Sequence, residues 1–187
     1  NKLAPRISKK VIRKALTKKL TGIDTVAKFQ DIISGYVAKV VKKSSTGVTV
    51  SGLSDLSKDK SYLFISNHRD IALDPALISY LLHRENHGTI EIAIGDNLLK
   101  KPFISDLMRL NRSFLVKRSV QGREKLLASK TLSQYMHTAV EGGNNVWIAQ
   151  REGRAKNGID VTDPTVIKML YMGKIDEDPR PSLQEAI

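Results

Sequence analysis

The sequence predicts an α/β fold: a mixed, mostly parallel central sheet flanked by helices and preceded by an N-terminal basic helical pair. Three observations predict it. From about residue 48 onward, short apolar runs of strand character alternate with longer stretches of helical periodicity. A chain of 187 residues, 41% hydrophobic, has the size and apolar content of one globular domain. The charge is split along the chain: residues 1–43 hold twelve Lys and Arg against only Asp24 and Asp31, a local +10 of the total +12. A basic excess gathered at one terminus points to an anionic surface that this terminus touches.

The elements follow in order. Ile7, Val11, Ile12, Ala15, Leu16 and Leu20 recur at spacings of three and four, with Lys9, Lys10, Arg13, Lys14 and Lys18 around the rest. Such a helix either lies in lipid headgroups with its basic face exposed, or packs its stripe on the core and solvates its lysines. Nucleic acid is not expected as a partner, since the segment lacks interleaved aromatics for stacking. A second helix starts at Asp24, read as its N-cap, and runs to about Lys43 with Val26, Phe29, Ile33, Tyr36, Val37 and Val40 on one face. Ser44–Gly47 ends the pair.

Beyond it, Val48–Val50 and Tyr62–Ile65 read as strands. Helices are expected over Pro75–His83, Leu98–Leu110 and Gly122–Glu141, and strands over Ile90–Ile94, Phe114–Lys117 and Val146–Gln150. Gly142–Asn145 supplies a turn. Three regions result: a basic amphipathic segment over 1–43 on or beside the core, an α/β domain over 44–173, and a poorly ordered tail over 174–187 with Pro179 and Pro181.

The absence of cysteine excludes disulfides, thiolate metal sites and acyl-cysteine chemistry. No run approaches the roughly 18 consecutive apolar residues of a membrane span. Residues 1–20 lack the continuous apolar centre of a signal peptide, so no secretion is expected. His83 and His87 have the i, i+4 spacing of metal ligands on a helix. No glutamate adjoins the first His, however, and Gly88 marks a helix end, so no metal is expected. The glycines near Gly142 and Gly153 do not form a phosphate-cradling loop, and no cofactor is expected.

The stretch from Phe64 to Ala76 is the most informative. His68 falls just past a buried strand, with Asp70 and Asp74 following. A carboxylate there holds the imidazole tautomer and stabilises the imidazolium formed when the ring takes a proton. Asp74-Pro75 also reads as a helix N-cap and first position.

Asn67-His68 with a following Asp resembles the first block of the glycerolipid acyltransferase family, which acylates glycerol-3-phosphate and lysophosphatidate. Val48–Gly52 is similar to the strand and glycine that lead into it. Leu98–Phe103 followed by Leu115-Val116-Lys117-Arg118 resembles the second block, and Arg151–Gly158 the third, a Glu-Gly pair followed by an arginine. Together the blocks cover roughly residues 48–158. The family places four residues between its His and Asp, where five separate His68 from Asp74, so either Asp70 or Asp74 is the partner. In the third block Arg151 stands where many members have proline, and Arg154 follows the Glu-Gly pair one residue early.

The resemblance implies acyl transfer from acyl-CoA or acyl carrier protein to a phosphorylated or lyso-lipid acceptor. His68 and Asp74 would be catalytic, with Arg118, Glu152, Gly153 and Arg154 binding substrate. It also implies peripheral attachment to the inner face of the cell membrane, with residues 1–43 on the anionic surface. The alternatives are acylation of a lyso-amino-acid lipid and a catalytically silent lipid binder that keeps the fold.

Overall fold

The computed structural model describes residues 21–97 and 108–174. The expected first helix, most of Leu98–Leu110 and the tail beyond Lys174 lie outside the described residues. Four strands form one sheet in the order β1 (Leu63–Ser66), β4 (Asn145–Ala149), β2 (Ile90–Gly95), β3 (Ser113–Val116). All three pairings are parallel. The α/β class stands, and the sheet is wholly parallel among the described strands.

α1 (Val26–Ser44) begins one residue later than Asp24 suggests. The Thr25 hydroxyl is the cap, accepting from the Lys28 amide at 3.2 Å, while the Asp24 carboxylate pairs with Lys28 Nζ at 2.8 Å. Lys42 and Lys43 fall in the last turn, where cations oppose the helix dipole. Its inward face is Phe29, Gln30, Ile33, Ser34 and Val37. Val26, Tyr36 and Val40 of the expected stripe are exposed. Val48–Val50 is irregular: β1 is an edge strand, and this segment does not pair with it. Gly52 instead adopts φ +78° and opens a single 3₁₀ turn at Leu53–Asp55.

Parallel strands need crossover helices, and these cover both faces of the sheet. Side chains alternate accordingly. Ile90, Ile92 and Trp147 point to one face with Phe64 and Ile94, meeting Leu82 and Ile78 of α2 (Leu73–Arg84). Val146 and Ile148 point to the other, meeting Met136 and Ala139 of α3 (Gly122–Glu141) and Met169 of α4 (Pro164–Tyr171). α4 was not expected from the sequence. Asp163 caps it, accepting from the Thr165 amide at 2.8 Å, with Pro164 at its first position. Gly173 lets the chain close against α3, since a Cβ there would lie 2.8 Å from Ser133 Oγ.

A polar network locks the amino ends of the strands. Glu91, buried on β2, accepts from Arg112 Nη2 at 2.7 Å and from the Tyr135 hydroxyl of α3 at 2.5 Å. Arg112 also donates to Thr89 Oγ1 and Asn144 Oδ1. Burial and the Glu91 contact push the Tyr135 phenol up to about 12. Among the described residues, no helix is long and apolar enough to cross a membrane.

Candidate active site

An all-parallel sheet brings the carboxyl ends of its strands to one edge, where the following loops meet. Five of the described sequence-predicted residues lie in these loops: His68 after β1, Arg118 after β3, and Glu152, Gly153 and Arg154 after β4. Asp74 enters the same edge from the first turn of α2. Leu98–Phe103 of the second block lies outside the described residues.

His68 Nδ1 stands 3.0 Å from Asp74 Oδ2, and both side chains are largely buried. The same oxygen accepts the backbone amides of Arg69 at 2.6 Å and Asp70 at 2.9 Å, so the carboxylate is fixed before it meets the ring. Asp70 has a different task. Its Oδ1 accepts the amides of Leu73 and Ala72 at 2.8 and 2.9 Å, closing the turn into α2. Those two amides hold the Asp70 carboxyl below its usual range, with the Arg154 charge adding to them. Of the two aspartates, Asp74 is thus the one against the imidazole. The Asp70 turn takes up the additional residue between them.

The imidazole is further placed by Trp147, edge to face at 5.8 Å between centroids. Trp147 Nε1 donates to Ser66 Oγ at 2.9 Å, which anchors the indole under the β1 end. The backbone of His68 is held from the opposite loop. Its amide donates to Asp160 Oδ2 at 2.7 Å, and its carbonyl accepts from the Ala155 amide at 2.8 Å. The Asp160 side chain is 1% exposed, and Arg151 Nε lies 3.7 Å from its other oxygen. Sequence reading missed Asp160. The one available signal was a carboxylate between two large apolar residues, Ile159 and Val161, just after the Asn157-Gly158 turn.

Arg118 lies across the end of β2. Gly95 makes room for it: a Cβ there would fall 3.0 Å from Arg118 Nε and 2.5 Å from Asn97 Oδ1. Asp96 ties down the backbone, accepting from Ser119 Oγ at 2.8 Å and the Arg118 amide at 3.3 Å. The Ser119 hydroxyl and these amides hold the Asp96 carboxyl low. The guanidinium sits 3.9 Å from Glu152 Oε1, a long contact between partly exposed groups that leaves its donors available. Gly153 takes φ +81°, turning the chain so that Arg154 emerges exposed near Asp70.

A groove of about 160 Å³ runs from Ile71 and Ala72, beside this edge, along Pro75, Ala76 and Ser79 to His83 at the end of α2. α1 forms its other wall and is fixed there by His83 Nε2 against Asp31 Oδ1 at 3.2 Å. That pairing accounts for one histidine of the i, i+4 pair.

A histidine–carboxylate pair with flanking arginines at the carboxyl edge of a parallel sheet is the arrangement of an α/β enzyme. A family model described as Acyltransferase matches residues 47–168. The chain belongs to this family, the glycerolipid acyltransferases, and acyl transfer is its chemistry. Comparison with curated proteins and with solved structures gave no significant match.

Proposed function

We propose that the protein moves a fatty acyl group from an acyl thioester, acyl-CoA or acyl carrier protein, to the hydroxyl of a glycerol-phosphate or lysophospholipid acceptor. The reaction takes place at the inner face of the cell membrane, with residues 1–43 on the anionic surface. The observation that carries the reading is the 3.0 Å contact of His68 Nδ1 with an Asp74 carboxylate already held by two amides. With Nδ1–H donated to Asp74, Nε2 is the free base.

The acceptor hydroxyl loses its proton to Nε2 as its oxygen attacks the thioester carbonyl. The C–S bond then breaks, and the proton passes from Nε2 to the departing thiolate. A positioned base contributes about 10²–10⁴-fold. Asp74 stabilises the imidazolium without taking the proton. Arg118 and Arg154 hold the acceptor phosphate by charge-assisted hydrogen bonds, which fixes the hydroxyl against the base. Glu152 and Gly153 set the direction of this loop. The apolar groove beside the dyad takes the part of the acyl chain next to the thioester, with Ile33, Val37, Ile71, Pro75 and Ile94 as its wall.

The test is release of free thiol from a long-chain acyl thioester on anionic liposomes, comparing wild type with His68→Ala. Glycerol-3-phosphate, lysophosphatidate and a lyso-amino-acid lipid are offered in turn as acceptors. Acceptor-dependent release by wild type, lost in the variant, is the expected result and names the acceptor. Equal release by both would remove His68 from the mechanism. No release with any acceptor would leave a silent lipid binder.

A further inference from the structure

The loop that holds His68 reverses the usual polarity of a surface. Over Ile159–Val161 the Asp160 carboxylate points inward, while its neighbours Ile159 and Val161 are 67% and 68% exposed. Between His68 and Asp74 in the chain, Ile71 and Leu73 are also exposed, at 47% and 48%. The Asp160–His68 and Ala155–His68 bonds join the two loops, so both exposed apolar pairs stand on adjoining loops at the carboxyl edge of the sheet.

These side chains are held out by an ordered backbone. The Gly158 amide donates to the Ala155 carbonyl and the Ile159 amide to Asn157 Oδ1. Thr162 Oγ1 donates to Gln150 Oε1, and the Asp163 amide to the Gln150 carbonyl. The Asp70 turn fixes Ile71 and Leu73 in the same way. The same two loops carry exposed cations: Arg69, Arg154 and Lys156. Of the nearby acids, Asp160 is buried, Asp70 is turned to backbone amides, and Glu152 remains exposed. An apolar patch with a basic rim fits the boundary between acyl chains and anionic headgroups.

We infer that Ile71, Leu73, Ile159 and Val161 dip into an anionic bilayer and seat the mouth of the site on it. This deepens the proposed function, on which it rests for the placement of a lipid acceptor; the vesicle-binding arm of the test does not depend on turnover. A lyso-lipid can then bring its hydroxyl to His68 without leaving the membrane. The basic segment over 1–43 gathers the protein to the surface, and the mouth residues set its orientation there.

The test uses the full chain with vesicles of phosphatidylglycerol and phosphatidylcholine, read by co-sedimentation. Ile159→Ser with Val161→Ser is compared with Leu126→Ser and Leu127→Ser, an equally apolar exposed pair on α3 (both 56% exposed). The mouth pair is expected to weaken vesicle binding roughly tenfold through lost apolar burial, and the α3 pair to leave it unchanged. Thermal melting of each variant controls for folding.

In a chain without cysteine, Val161→Cys takes a single environment-sensitive label, whose emission shifts blue on vesicles. Unchanged binding in the mouth pair together with an unshifted label would overturn the inference, as would loss confined to the α3 pair, which would place the contact on another face. Vesicle binding that depends on the mouth, without thiol release from any thioester, would sink the proposed reaction while upholding the membrane contact. A label that shifts only with an added protein would replace the bilayer with a protein partner.

Discussion

Removing the Asp160 carboxylate tests how the base is held. Asp160→Ala deletes the acceptor of the His68 amide, a 2.7 Å bond in the range of charge-assisted contacts. A hydrogen bond to a charged group is worth about 1.5–3 kcal/mol. The Arg151 contact, at 3.7 Å with Arg151 40% exposed, adds little. Against this stands the cost of keeping a carboxylate in a site only 1% exposed, which the substitution relieves. Because the His68 amide is left without a partner at the loop junction, the net effect is expected to be destabilising by about 1–2 kcal/mol. For a chain of this size that lowers Tm by roughly 2–8 °C. Asp160→Asn retains an oxygen for the amide and is expected to lose less. Circular dichroism melts measure both, and thiol release reports a fall in kcat with KM little changed, since the base moves and the acceptor contacts do not. An Asp160→Asn protein more stable than wild type would refute the reasoning, because desolvation would then outweigh the bond.

Other outcomes follow from the same geometry. Asp74→Asn keeps an oxygen for the Arg69 and Asp70 amides but removes the charge facing the imidazolium; kcat in the thiol-release assay should fall roughly 10²–10⁴-fold. Gly95→Ala displaces the Arg118 side chain from the end of β2, so KM for a phosphorylated acceptor should rise about tenfold while melting shifts little. Arg112→Met strips Glu91 of its cation; urea denaturation should register a loss of about 3 kcal/mol, the low end for a broken buried pair because the Tyr135 hydroxyl still serves Glu91. Tyr135 has its pKa raised on folding, so its contribution is complete below pH 10 and is lost as pH rises through about 12. Wild-type melts should therefore drop more steeply between pH 10 and 12 than those of Tyr135→Phe.

The sheet and its larger covering helices are legible because both faces are buried: each inner strand is a short apolar run, and each long helix carries its stripe at 3.6 spacing. Val48–Val50 has the alternation of a strand but pairs with no strand among the described residues, and a strand cannot exist without its ladder. α4 is only eight residues long, too short for periodicity to announce it; the Asp163-Pro164 start was its one sign. At the site, sequence supplies both Asp70 and Asp74. What separates them is which backbone amides each oxygen serves, a property of the turn and not of the spacing. Asp160 lies further still from view, because its partner is a main-chain amide 92 residues away, and no side-chain pattern records a main-chain partner.

That distance gives the site a place in time. β1 and β4 are neighbours in space, so the loop that carries the base is completed by the loop that emerges last of the four. A ribosome adding about 5–20 residues per second exposes His68 some 5–20 s before Asp160 can reach it. A nascent chain halted anywhere in that interval holds the histidine and its aspartate partner without the Asp160 carboxylate against the His68 amide. Until residue 160 has emerged, the turn that carries His68 is closed only by its own residues and, late in the interval, by the Ala155 amide.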